Sequence, residues 1–466
     1  MSKPRNNSST PSCCSESPLA HAAAALDRRT FLRRSLGSLI GLSMGGAMLS
    51  LVGDGTMTGV SALYAATAAE EWPLPANPPV KAIIVLWMNG GPSQIDTFDP
   101  KPRHANGGGL KAINTAVRGV KVSEHLPQIA SVMDRMALIR CMSTGEGNHA
   151  RARELMHTGF KPNPTVAYPG LGAILNYEIG DLDAELPQNV AINAPGQKGG
   201  LLGLDMDPLV VTANGREAVQ NLKPASRVTD ERIDRRLRLL AAQDERFTRR
   251  LGGECPEAAA HGVVLGNAVR FMRSDQKAAF DITAEPQAVR DAYGDTQFGR
   301  GCLMARRLVE RGVKYVEVTL NGWDTHDDNF GRVKTLAGEL DPAAATLIRE
   351  LEERELLDST LVIWMGEFGR TPTVNGREGR DHFARAWSAA LAGGGVKGGT
   401  VIGETSPDGT EIAGNSVATA DLYRTVLWLC GIDPDYKYYS PKGRPVTYAD
   451  GGRLITGLLR PPAELA

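Results

Sequence analysis

His, Asp and Glu side chains gather in a few short polar segments of this 466-residue chain. Asp324 and His326 lie two apart in Asn321-Gly322-Trp323-Asp324-Thr325-His326. Asp381 and His382 are adjacent in Gly379-Arg380-Asp381-His382, and Glu367 sits in Gly366-Glu367-Phe368-Gly369-Arg370. Asp96 closes Asn89-Gly90-Gly91-Pro92-Ser93-Gln94-Ile95-Asp96, and Asn148-His149 follows the turn residues Gly145-Glu146-Gly147. Imidazole beside carboxylate, repeated in two segments, is the donor vocabulary of a divalent metal site. Three carboxylates gathered within about 4 Å repel pairwise by about 4 kcal/mol at an effective dielectric of about 20, so a cation must sit among them. Two kinds of cation qualify. One or two divalent ions would be held by Asp324, His326, Glu367, Asp381 and His382, or the guanidinium groups of Arg370, Arg380 and Arg153 would neutralise them in an ion-pair network.

Each polar segment follows a short apolar run of the kind that forms a buried strand: Lys81–Met88, Met136–Arg140, Val313–Leu320 and Thr360–Met365. Helical stripes precede two of them, at Arg300–Arg311 and Ala343–Leu357. Helix followed by buried strand, repeated, predicts an α/β fold with a largely parallel central sheet. In such a sheet the loops after the strands share the carboxyl edge, where ligands bind. A dense run of Arg, Asp and Glu striped with Ile233, Leu237, Leu240 and Phe247 predicts a helical, charged insertion near 205–300 with a solvent-facing side. A late helix over Asp421–Cys430 is expected to stop at Gly431.

The N-terminal 68 residues read as an address. Arg28, Arg29, Arg33 and Arg34 precede an uncharged stretch from Ser35 to Gly53 and small residues ending at Ala68. That order fits a removable export signal, and Arg28-Arg29-Thr30-Phe31-Leu32 resembles a twin-arginine signal read by the twin-arginine export machinery. The alternative is an uncleaved anchor, since the stretch approaches the roughly 20-residue spanning length; the expectation here is cleavage, no stable membrane span, and a periplasmic or extracellular protein. With 52 basic against 53 acidic residues, nothing favours tracking of nucleic acid. Cys141, Cys255, Cys302 and Cys430 have no Cys-x-x-Cys spacing, which argues against a thiolate metal site.

Four segments, Gly90–Pro102, Gly322–His326, Gly366–Pro372 and Gly379–His382, together with the signal, resemble the bacterial family of unknown function numbered 1501 over nearly the whole chain beyond residue 68. That family is similar to the alkaline phosphatase and sulfatase superfamily. The resemblance implies an alkaline phosphatase-like three-layer sandwich with metal ligands at strand ends. It places Asn89 where the superfamily has its first Asp ligand, Glu367-Phe368-Gly369 where it has Asp-His-Gly, and His382 at its late His ligand. It also departs from the superfamily. Aligning Arg153 and Thr158-Gly159 puts His149 where sulfatases carry their nucleophile, with Ser143 or Thr144 as displaced substitutes, and Phe368 cannot ligate metal. The implied function is an exported metal-dependent hydrolase-like protein acting on a sulfate, phosphate or related ester of a small molecule or polysaccharide. Zinc, calcium, magnesium or manganese would be held by Asp324, His326, Glu367, His382 and Asn89, with Asp381 and Asp96 as ligands or supports. Arg153 and Arg370 would hold the anionic group, and His149 would be base or nucleophile. The rival is a non-catalytic binding or scaffold protein on the same fold.

Overall fold

The computed structural model describes residues 72–466 apart from 182, 215–218, 220–221, 223–227, 251–255, 441–442, 462–463 and 465–466. The signal expected at 1–68 lies outside the described residues. In chain order the strands of the main sheet are β1 (Ala82–Asn89), β2 (Met136–Ser143), β3 (Asn189–Ile192), β4 (Leu209–Val211), β5 (Tyr315–Asn321), β6 (Thr360–Gly366), β7 (Trp387–Ala392), β8 (Val401–Ile402) and β9 (Val417–Ala418). Their order in space is β8-β2-β7-β6-β1-β5-β3-β4, with β9 also on β2. All pairings are parallel except those of β7, which is antiparallel to both neighbours.

Both faces of this sheet are covered, which is why its central strands are apolar at nearly every position. Ile84, Leu86 and Met88 of β1 enter a core shared with α5 (Gln297–Glu310) and α6 (Asn329–Glu353). Side chains alternate along a strand, so Trp87 faces the other way and packs on His157, with ring centroids 4.2 Å apart. His157 belongs to α1 (His149–Thr158), which shares that face with α2 (Leu171–Ile179) and α7 (Thr419–Leu429). Tyr423 of α7 donates its hydroxyl to the His157 carbonyl. Gly172 of α2 lies so close to Asn189 and Tyr315 that a Cβ there would meet both at 2.5 Å. The result is an α/β sandwich with a mixed, mostly parallel central sheet.

The charged helix appears as α3 (Asp230–Arg250), which has no buried residue and lies beside α4 (Pro256–Arg273); Arg273 pairs with Asp230 and Asp234 at 3.1 and 2.8 Å. No helix among the described residues is long and apolar enough to cross a membrane.

Strand register brings the polar segments together. Asn89 of β1 is level with Asn321 of β5, and Met88 with Gly366 of β6, so three loops leave the sheet from one line. Because β7 runs antiparallel, the chain between β6 and β7 never crosses the sheet. Residues 367–386, with Glu367, Arg370, Asp381 and His382, therefore stay at the carboxyl edge. Gly369–Arg370 and His382–Phe383 pair there as a small ribbon that sets His382 opposite Arg370.

Candidate metal centre

His149 is the first residue of α1, behind Asn148, whose side-chain oxygen accepts the Arg151 amide at 3.2 Å and caps the helix. Asp324 and His326 come from the loop after β5, and His382 from the ribbon. Glu367, at the end of β6, is 1% exposed; its Oε1 lies 2.8 Å from His149 Nδ1 and accepts the Gly90 amide at 2.9 Å. Asp381 Oδ1 is 2.8 Å from His326 Nδ1, and the Gly147 carbonyl is 2.7 Å from His382 Nδ1.

These three acceptors assign the tautomers. A carboxylate or carbonyl oxygen only accepts, so each Nδ1 carries the proton and each neutral ring turns an Nε2 lone pair inward. The three Nε2 atoms meet at Asp324 Oδ1, 3.3 Å away for His149, 3.2 Å for His326 and 3.4 Å for His382. His326 Nε2 is also 3.0 Å from His382 Nε2. Four acceptors facing one another at such distances repel unless a proton or a metal ion lies among them. The spacing suits a metal ion, because ligands about 2.0 to 2.1 Å from a tetrahedral ion stand about 3.3 to 3.4 Å apart. His149 Nε2 is buried without a hydrogen-bond partner, and one ligand atom each from His149, Asp324 and His382 lies within 4.8 Å of the others. The residues present fit a divalent ion with nitrogen and oxygen donors. The Asp324 side chain is 45% exposed, which leaves the cluster open to solvent on one side.

Arg370 holds Asp324 in place. Its buried guanidinium donates to Asp324 Oδ1 at 2.6 Å, to the Gly91 carbonyl at 2.9 Å, to the Arg380 carbonyl at 3.2 Å and to the Gly90 carbonyl. Its donors are consumed inside the protein, so Arg370 positions the cluster rather than reaching a ligand. Burial pushes the Asp324 carboxyl up, but the Arg370 hydrogen bond and charge outweigh it and hold the group below its usual range. The hydrogen bond that His149 donates to Glu367 raises the imidazole above its ordinary value, against the pull of burial. Burial lowers His382. The His326 hydrogen bond holds Asp381 low.

Several expected site residues stand elsewhere. Asn89 spends its amide on Asn321 Oδ1 at 2.9 Å, and its own oxygen faces Trp87 Nε1 at 3.4 Å. Asp96 is fully buried and bonds to Arg380 Nε at 2.8 Å and Asn329 Nδ2 at 2.7 Å, so it braces the 379–382 segment from behind. Arg153 donates to the Pro195 carbonyl at 2.5 Å. Glu367 and Asp381 stand behind His149 and His326. Ser143 and Thr144 have their hydroxyls 3.5 Å from the carbonyls of Ala384 and Glu146. Of the two expected charge arrangements, the arginine one is seen in part: Arg370 and Arg380 form ion pairs with Asp324 and Asp96, yet neither donates to the facing imidazole nitrogens.

The Gly90–Gly91 turn supports the cluster through its backbone. Gly90 has φ +112°, and a Cβ on it would lie 2.4 Å from the Asp324 amide nitrogen. The turn presents the carbonyls that bind Arg370 and the amide that binds Glu367.

Solved structures give distant likenesses. The PsFucS1 sulfatase from Pseudoalteromonas sp. is 15% identical over 76% of this chain and 68% of its own, with a TM-score of 0.36. The lipoteichoic acid synthase LtaP from Listeria monocytogenes is 11% identical over 81% and 76%, with a TM-score of 0.36. A protein in the alkaline phosphatase superfamily from Vibrio parahaemolyticus is 11% identical over 77% and 70%, with a TM-score of 0.33. No curated protein sequence matches the chain. Residues 80–459 match the model of the family described as "Protein of unknown function (DUF1501)", and the chain belongs to that family.

Proposed function

We propose that the protein is an exported hydrolase that holds one divalent ion through His149, Asp324, His326 and His382 and cleaves a sulfate, phosphate or related ester by direct attack of water. The observation that supports the metal is the convergence of three Nε2 lone pairs on Asp324 Oδ1. Three imidazoles and one carboxylate favour zinc or manganese over calcium and magnesium, which prefer oxygen ligands. A divalent ion at this position supplies Lewis acidity toward an ester oxygen and toward water.

The chain's own groups do the rest. Glu367 and Asp381 accept the Nδ1 protons, fix the ring planes and make the imidazoles better donors. Arg370 fixes Asp324. His149 has both nitrogens committed in this arrangement, which makes it a ligand rather than a base or nucleophile. Ser143 and Thr144 bond to nearby carbonyls instead of the cluster, so water is the nucleophile this site favours. The first amides of α1, beside the cluster, suit an anionic group on the substrate. The ester class rests on the motif resemblance, and export on the Arg28-Arg29 segment.

The test is turnover of p-nitrophenyl sulfate and p-nitrophenyl phosphate by metal-loaded mature protein and by Asp324→Asn. Turnover that Asp324→Asn reduces by at least a hundredfold supports the proposal. Turnover unchanged in Asp324→Asn removes the cluster from the chemistry, and no turnover with metal bound favours a binding role.

A further inference from the structure

The charges of α3 are sorted by face. Its acidic residues turn toward α4 or to one flank: Asp230 and Asp234 pair with Arg273, Asp244 lies 4.0 Å from His261, and Glu245 on the flank meets Arg249 at 3.6 Å. The opposite face is basic. At about 100° per residue, Arg232, Arg235, Arg236, Arg246 and Arg250 all fall within about 60° of Leu239, on the side away from α4, and no acidic residue of the helix does. These arginines are exposed and make no ion pair among the described residues. Since the chain has 52 basic against 53 acidic residues, the face reflects placement rather than overall charge.

Two large apolar side chains interrupt this face. Leu239 is 61% exposed, and Phe247, about two turns further on, is 53% exposed. Neither helps to hold α3 on α4, a task that falls to the half-buried Ile233, Leu237 and Leu240 on the other side. The mixture of guanidinium and exposed apolar groups narrows the partner. A second copy of the chain presenting the same face would bring arginine against arginine. A nucleic acid or other polyanion would neutralise the arginines and leave Leu239 and Phe247 in water. The surface of an anionic bilayer satisfies both, with lipid phosphates at the level of the guanidinium groups and acyl chains just beneath them.

We propose that α3 docks the protein on a membrane surface rich in anionic lipid, with the helix axis in the membrane plane, the five arginines on lipid phosphates, and Leu239 and Phe247 dipping below the headgroups. The helix has 21 residues and so offers a strip about 30 Å long. It lies on the bilayer and does not cross it, in keeping with the absence of a spanning helix among the described residues. Docking by this face is independent of the metal centre.

The experiment is flotation of the mature protein, which lacks the apolar stretch Ser35–Gly53, with vesicles of equal parts phosphatidylglycerol and phosphatidylcholine and with vesicles of phosphatidylcholine alone. Three double variants are compared: Arg235→Gln with Arg236→Gln on the basic face, Leu239→Gln with Phe247→Gln, and Arg238→Gln with Arg249→Gln on the flank shared with Glu231 and Glu245. All six side chains are exposed, so the circular dichroism spectrum is expected to stay the same. Binding is expected to the anionic vesicles only, to weaken about tenfold or more in each of the first two variants, and to change less than about threefold in the third. Failure to float with anionic vesicles overturns the inference, as does a flank variant as costly as the basic-face one, which would reduce the effect to net charge. Binding that the Leu239→Gln, Phe247→Gln variant leaves unchanged also overturns it and assigns the arginines to a soluble polyanion instead.

Discussion

The Nδ1 of His149 and the Oε1 of Glu367 lie 2.8 Å apart, and this single contact decides which nitrogen of His149 faces Asp324. Glu367 is anchored in turn by the Gly90 amide, so the orientation of the ring is set by the backbone of a turn after β1. Removing the acceptor frees the ring. Glu367→Ala is expected to weaken metal binding about 10- to 100-fold, the usual cost of losing a carboxylate behind a ligating histidine. Competition titration with a chromophoric chelator measures this, and an unchanged dissociation constant would contradict it.

Arg370 is fully buried and satisfies three carbonyls and Asp324. Arg370→Met removes the charge and leaves those oxygens unpaired. The expected loss is about 1 to 3 kcal/mol, the cost of leaving a buried carbonyl oxygen without its donor. Urea denaturation of metal-free protein gives the value; a loss under about 1 kcal/mol would show that the arginine is not holding the turn and Asp324 together.

Gly90→Ala tests the close approach of the turn. The positive φ and the 2.4 Å contact with the Asp324 amide force the loop after β5 outward. Metal affinity is expected to fall at least tenfold while the circular dichroism spectrum is retained. Gly109→Ala, also at positive φ but with nothing within 4 Å of the added carbon, is the control and keeps its affinity.

The frame was legible in the sequence because buried parallel strands announce themselves as apolar runs. Lys81–Met88 is offset from β1 by one residue, and Thr360–Met365 ends one residue short of β6. The stripe at Ala343–Leu357 captured only the second half of α6, which runs from Asn329 through Pro342. Beside Pro342, Asp341 accepts the amides of Gln128 and Ile129 at 2.9 and 2.7 Å and ties the helix to the core. β7 escaped notice: Trp387–Ala392 is mostly small residues, and nothing local reveals an antiparallel strand between two parallel ones. At the site, residue types marked Asp324, His326 and His382, but type does not tell a ligand from the acceptor behind it. Glu367 and Asp96 look alike in sequence, and only the fold shows one facing His149 and the other Arg380. Arg153, one helical turn beyond His149, donates to the Pro195 carbonyl, a partner that residue type alone does not reveal.

In the proposed centre, protons and the cation compete for the same Nε2 atoms. The Glu367 hydrogen bond raises His149 above 6.5 in the metal-free protein, so its second proton is held into a higher pH range than that of free imidazole. Linkage then has a definite sign. Metal affinity is expected to fall as pH drops, beginning above pH 6.5, because each ion bound must displace that proton. Glu367→Gln keeps an acceptor but removes the charge and shifts the onset downward. Isothermal titration between pH 5.5 and 8 checks both, and an affinity flat over that range would count against the assignment of His149.

Anomalous diffraction from crystals of the folded protein grown with zinc or manganese locates the ion. One peak is expected, bonded to Asp324 Oδ1 and to the Nε2 atoms of His149 and His382, with His326 Nε2 completing the set. Crystals in which that point holds only water, with the imidazoles hydrogen-bonded to one another and to Arg370-bound Asp324, would contradict it.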